Sequence, residues 1–137
     1  MQVEEIRAVL DRALRLRMPR FGAEQGVRDR IDALDTYLGE TAIARGELEE
    51  ARFYAYEAGR ALKEEWDAIA GWETVIDKSS RNRTQADVEE AKRTINPGLW
   101  EGIQEAKYLV ERLTDQIKRL TLDDAAASRR YTMLTGS

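Results

Sequence analysis

The residues best equipped for chemistry in this chain are carboxylates. Paired acids occur at Glu49-Glu50, Glu64-Glu65, Glu89-Glu90 and Asp123-Asp124, among others. Acids converging from several helices can hold magnesium. Neighbours on one helix, however, point about 100° apart, so a doublet is not itself a chelate. The doublets read as solvated charges. The chain has no histidine and no cysteine, which removes the commonest general base, the usual transition-metal ligand and any thiolate site. Serines stand at 79, 80, 128 and 137 without a base or a glycine-flanked elbow. The stretch "KSSRNRT", residues 78–84, joins three cations and two serines ahead of a helix start and has the chemistry to hold a phosphate. It lacks a glycine-rich P-loop and a preceding strand, and a polar turn between helices accounts for it. The expectation is a protein without catalytic residues, metal, cofactor or small-molecule substrate.

The net charge of −4 is unevenly spread. Residues 1–22 carry five arginines against three acids, residues 23–77 six basic against fourteen acidic side chains, and residues 78–137 eleven against nine. A nucleic-acid footprint needs a concentrated basic face. The candidates for one are Arg12, Arg15, Arg17 and Arg20 in "RALRLRMPR", and the doublet Arg129-Arg130. Cations late in a helix also complement its dipole, and the acidic middle repels phosphate, so nucleic acid is not the expected partner. The apolar runs are too short to span a bilayer. The opening "MQVEEIRAVL" has glutamates where a secretory signal carries a basic segment. The expected location is the cytoplasm of a host cell or a virion.

Charged residues make up 35% of the chain and apolar residues 42%, the profile of a charged helical protein. A short amphipathic helix is expected over residues 1–18, with Val3, Ile6, Leu10 and Ala13 inward and Pro19 ending it. A long helix should follow over 24–77, its inward stripe formed by Leu34, Leu38, Leu48, Ala51, Ala55, Leu62, Trp66 and Ile69. Phe53 and Tyr56 fall on the far side of that stripe, where a second neighbour would be needed. After a loop at 78–83, Thr84 and Asp87 form a capping box for a short helix over 84–95. Asn96 and Pro97 then open a helix over 97–134. Its seam of Leu99, Ile103, Ala106, Val110, Leu113, Ile117 and Leu120 alternates spacings of four and three. The register continues through Asp124 and Ala127 to Tyr131 and Leu134. The whole reads as one all-α domain, an elongated antiparallel helical hairpin or coiled-coil-like bundle.

The stretch "DVEEAKRTINPGLWEGIQEAKYLVERLTDQIKRL" followed by "ASRRYTMLTGS" resembles small all-helical proteins of actinobacterial phages and prophages over about forty residues. Those share a cap-Pro-x-Leu-Trp start, here Asn96, Pro97, Leu99 and Trp100. They also share a Ser-Arg-x-Tyr-Thr-x-Leu-Thr-Gly end, here Ser128 to Gly136. The resemblance implies a phage setting and carries no activity. A helical hairpin exposes much surface for its volume and commonly completes its core by oligomerising or by docking. The expected function is therefore a non-enzymatic structural or assembly component, or an adaptor, that binds a protein partner or its own copy. The contacts would come from Phe53, Tyr56, Arg129, Arg130, Tyr131, Met133 and Leu134. The alternative is a small regulator that binds nucleic acid or inhibits a host protein.

Overall fold

The computed structural model describes residues 1–74 and 84–136. The loop expected at 78–83, with most of the phosphate candidate, and residues 75–77 of the expected long helix lie outside the described residues. Four α-helices follow in order: α1 (Val3–Arg15), α2 (Val27–Asp67), α3 (Gln85–Ile95) and α4 (Pro97–Thr135), with one 3-10 turn at Trp72–Thr74. No strand occurs among the described residues. The fold is all-α, with the two long helices packed against each other.

The helix ends follow local chemistry. Thr84 and Asp87 form a reciprocal capping box: Asp87 N–H donates to Thr84 Oγ1 at 3.2 Å, and Thr84 N–H to Asp87 Oδ2 at 3.0 Å. These bonds, the backbone one first, hold the Asp87 carboxyl below its ordinary value of 3.8. A depressed carboxyl contributes stability above its unfolded value and loses it as pH falls through the folded one. The start of α3 is therefore expected to fray only below about pH 4. Amide exchange at Asp87 and Val88 followed down the pH scale would check this, and an Asp87→Asn variant should be flat over the same range. At the next junction, Asn96 Oδ1 accepts from Leu99 N–H at 3.2 Å, and Pro97 takes the first helical position, where no N–H is needed.

Two helices end earlier than their sequence pattern suggests. α1 stops at Arg15, because Leu16 is already extended ahead of Pro19. α2 stops at Asp67, ten residues short of expectation. There the N–H of Ile69 bonds back to Trp66 O at 3.2 Å, and Gly71 takes φ +79°, a left-handed conformation that favours glycine. Gly71 O then accepts from Thr74 N–H to close the 3-10 turn.

The chain divides into two compact units: one formed by residues 1–54 and 111–137, the other by residues 55–110. In the first, Leu34, Tyr37 and Ala127 form a buried cluster on which Leu16, Met18, Phe21, Leu38, Tyr131 and Leu134 pack. Arg30 pins the segment before α2, bonding Gln25 O at 2.9 Å and Gly22 O at 3.1 Å while its guanidinium lies over the Phe21 ring. In the second unit, Trp66, Leu99 and Ile103 form the core with Leu62, Ile69 and Trp100 around them. The Trp66 and Trp100 rings stand 5.1 Å apart, with Lys92 over the first and Arg93 over the second. These two cations tie α3 to the tryptophans. Here α2 and α4 approach closely: a Cβ on Gly59 would meet the Ala106 Cβ at 3.1 Å, and one on Gly102 would meet Leu62 at 3.2 Å.

Candidate functional site

The Asp123-Asp124 doublet is not a solvated pair. Both residues are half-buried and fully engaged within the first unit. Position 124 falls on the α4 seam, facing Thr41, whose side chain is buried on α2. Thr41 Oγ1 lies 3.1 Å from Asp124 Oδ1 and 3.1 Å from its own helix's Leu38 carbonyl, while Arg45 donates to Asp124 Oδ2 at 3.2 Å. Asp123 receives the Tyr37 hydroxyl at 3.5 Å and pairs with Arg119 at the same distance. Burial, reinforced by the Asp123 charge, pushes the Tyr37 hydroxyl above its usual value. Arg119 also reaches α1: its guanidinium donates to Ala13 O at 2.7 Å and Leu16 O at 3.1 Å. That cation sits where the α1 dipole is negative and adds a charged donor to Ala13 O, which also accepts from Leu16 N–H at 3.2 Å. The network ties α2 to α4 and α4 to α1. Among the described residues no three carboxylates converge to hold a metal ion. Ser128 is exposed on α4, and the other three serines lie outside the described residues.

The residues expected to meet a partner separate into two sets. Tyr131 and Leu134 are half-buried and pack into the cluster around Leu34, Tyr37 and Ala127, so their apolar surface is used within the chain. Met133, Arg129 and Arg130 lie on the other side of α4, exposed, with Met133 at 82%. Phe53 is 59% exposed, its ring edge-on to Tyr54 at 5.6 Å, and Tyr56 is 60% exposed. The sequence reading missed Ile43, 67% exposed on α2, and Leu122, 71% exposed on α4. Ile43 lies between two alanines and Leu122 between Thr121 and Asp123; the signal was their place on the helix face opposite the seam.

The arginines of the N-terminal cluster do not present a common face. Arg12 donates to Glu47 on α2 at 2.7 Å. Arg17 is turned onto the backbone, donating to the Leu14 and Leu16 carbonyls at the end of α1. Arg15 and Arg20 are exposed. No helix among the described residues is long and apolar enough to cross a membrane.

A scan against protein-family models, a search of curated proteins and a search of solved structures each returned no match.

Proposed function

We propose that this chain is a non-enzymatic helical interaction protein, a structural or assembly component or an adaptor. The observation that carries the reading is a set of large apolar side chains held open on two rigid helices. Ile43 and Phe53 stand on α2, and Leu122 and Met133 on α4. Aromatic and methionine side chains of this kind are enriched at the centres of protein interfaces. The resemblance of the last forty residues to phage and prophage proteins supports a phage setting for this role. The regulator that binds nucleic acid is less favoured, since Arg12 and Arg17 are engaged within the chain.

Site-specific photo-crosslinking tests the reading. A photoreactive side chain at position 53 is expected to give a discrete protein adduct in cells that carry the native gene. The same group at position 128, on the flank of α4, should give little. No adduct at position 53 would overturn the proposal. A steeply salt-dependent affinity for DNA, lost on charge removal at Arg15 and Arg20, would favour the regulator instead.

A further inference from the structure

Two exposed faces of the first unit match each other in length and are opposite in net charge. On α2, Asp32, Gly39, Gly46 and Phe53 recur every seven residues and share one outward row. Asp35, Ala42 and Glu49 run beside it on one flank, Ile43 and Glu50 on the other, and all of these are exposed. The face thus has an apolar and small centre between acids at both ends. Arg28 is exposed at the start of the Asp35 flank, while Arg30 is turned onto the preceding segment and Arg45 onto Asp124, so acids remain in excess on the face. On α4, Leu122 and Met133 lie three turns apart on one outward row, with Ala125 and Arg129 between them. Lys118 precedes the row and Arg130 flanks its end. Asp115, also exposed, stands on the row one heptad before Leu122, whereas Asp123 and Asp124 point inward to Arg119 and Arg45, so the row keeps an excess of cations. The apolar span is about 15 Å from Ile43 to Phe53 and about 16 Å from Leu122 to Met133.

The glycines separate the two units further. Gly59 and Gly102 each have a neighbour that takes up the missing side chain, at 3.1 and 3.2 Å. Gly39 and Gly46 have nothing within 4 Å, although glycine in a helix interior disfavours the helix. Among the described residues no neighbour explains the room they leave on the exposed α2 face.

We infer that the occupant of the α2 face is a second copy of this chain, docked through the outward row of its α4. Met133 and Leu122 of one copy lie along the Gly39–Gly46 row of the next, between Ile43 and Phe53. Arg129, Arg130 and Lys118 meet Asp32, Asp35, Glu49 and Glu50. The contact is between unlike faces, so it either closes into a symmetric assembly or propagates from copy to copy. This rests on the reading of the chain as an interaction protein and names its partner.

The test is the mass of the full chain by sedimentation velocity and light scattering, from micromolar to millimolar concentration and at low and high salt. Self-association that weakens with salt is expected. Two charge reversals, Arg129→Glu with Arg130→Glu and Glu49→Arg with Glu50→Arg, should each give a monomer. Mixing the two variants should restore a complex, because one α4 row then again faces an α2 row of opposite sign. Gly46→Leu fills space that is open within the chain, so helicity and melting temperature should hold or rise while association weakens by about tenfold or more. A wild-type monomer across the whole range, or a mixture of the reversed variants that stays monomeric, would overturn the inference. If the wild type is monomeric but still crosslinks to another protein at position 53, self-docking falls and the interaction reading stands.

Discussion

Leu113→Asp is expected to abolish cooperative folding of the unit formed by residues 1–54 and 111–137. Leu113 is wholly buried on the α4 seam. Replacing it removes a buried apolar side chain that contributes about 2–3 kcal/mol. It also leaves a carboxyl with no partner in an apolar setting, which adds several kcal/mol whether the group stays charged or takes up a proton. The sum rivals the roughly 5–15 kcal/mol that holds a domain of this size together. Far-ultraviolet circular dichroism should show a large loss of helix and no sharp thermal transition. Leu113→Met, which conserves volume, should cost less than about 1.5 kcal/mol and keep the transition. A native-like melting curve for the aspartate variant would refute the seam register.

Ending the chain after Asp124 is expected to destabilise the same unit rather than merely uncouple it from a partner. The cut removes Ala127, fully buried, and Tyr131 and Leu134, which cover Leu34 and Tyr37. From apolar area alone the loss is about 3–5 kcal/mol. It also strips the last three or so helical turns of α4, including the residues packed with Phe21 and Met18, so the segment between α1 and α2 loses its cover. Chemical denaturation should show a lower midpoint and a smaller slope. By contrast, Met133→Ser leaves that cluster intact, because Met133 faces outward, and should melt within about 0.5 kcal/mol of the parent. Equal stability of the full and shortened chains would return Tyr131 and Leu134 to the role of an exposed anchor.

Much of this architecture was legible because it is written in local chemistry. The alternating apolar seam of α4, the Thr84–Asp87 box and the Asn96-Pro97 start act over a few residues, and the structure shows each, except that Leu109 is buried where the seam was read at Val110, which is half-buried. Two kinds of feature were not legible. α2 ends in a tight turn, Ile69 N–H to Trp66 O, with Gly71 in a left-handed backbone four residues past the helix, and an isolated glycine in a helical pattern does not announce that. The interior of the first unit depends on pairs far apart in sequence. Tyr37 and Thr41 are buried because Asp123 and Asp124 come to meet them, and no periodicity predicts a threonine facing an aspartate across a seam. The same holds for the site. Sequence correctly set Phe53 and Tyr56 off the seam, but the Arg129–Leu134 stretch proved to face both ways. Only the helix register separates the outward Met133 from the inward Tyr131 and Leu134.

The division of the chain also fixes an order of events during synthesis. The unit of residues 55–110 is continuous in sequence and holds all its parts once residue 110 has left the ribosome. The other unit is assembled from the two ends of the sequence. Its first segment is made early and waits for residues 111–137; at about 5–20 residues per second, the intervening 56 residues take roughly 3–11 s to make. During that wait Leu34 and Tyr37 lack Ala127, and the end of α1 lacks Arg119. The nascent chain therefore carries an unfinished apolar surface until residues 111–137 have been made, and that interval is when a chaperone, or a neighbouring nascent copy, has its best access to it.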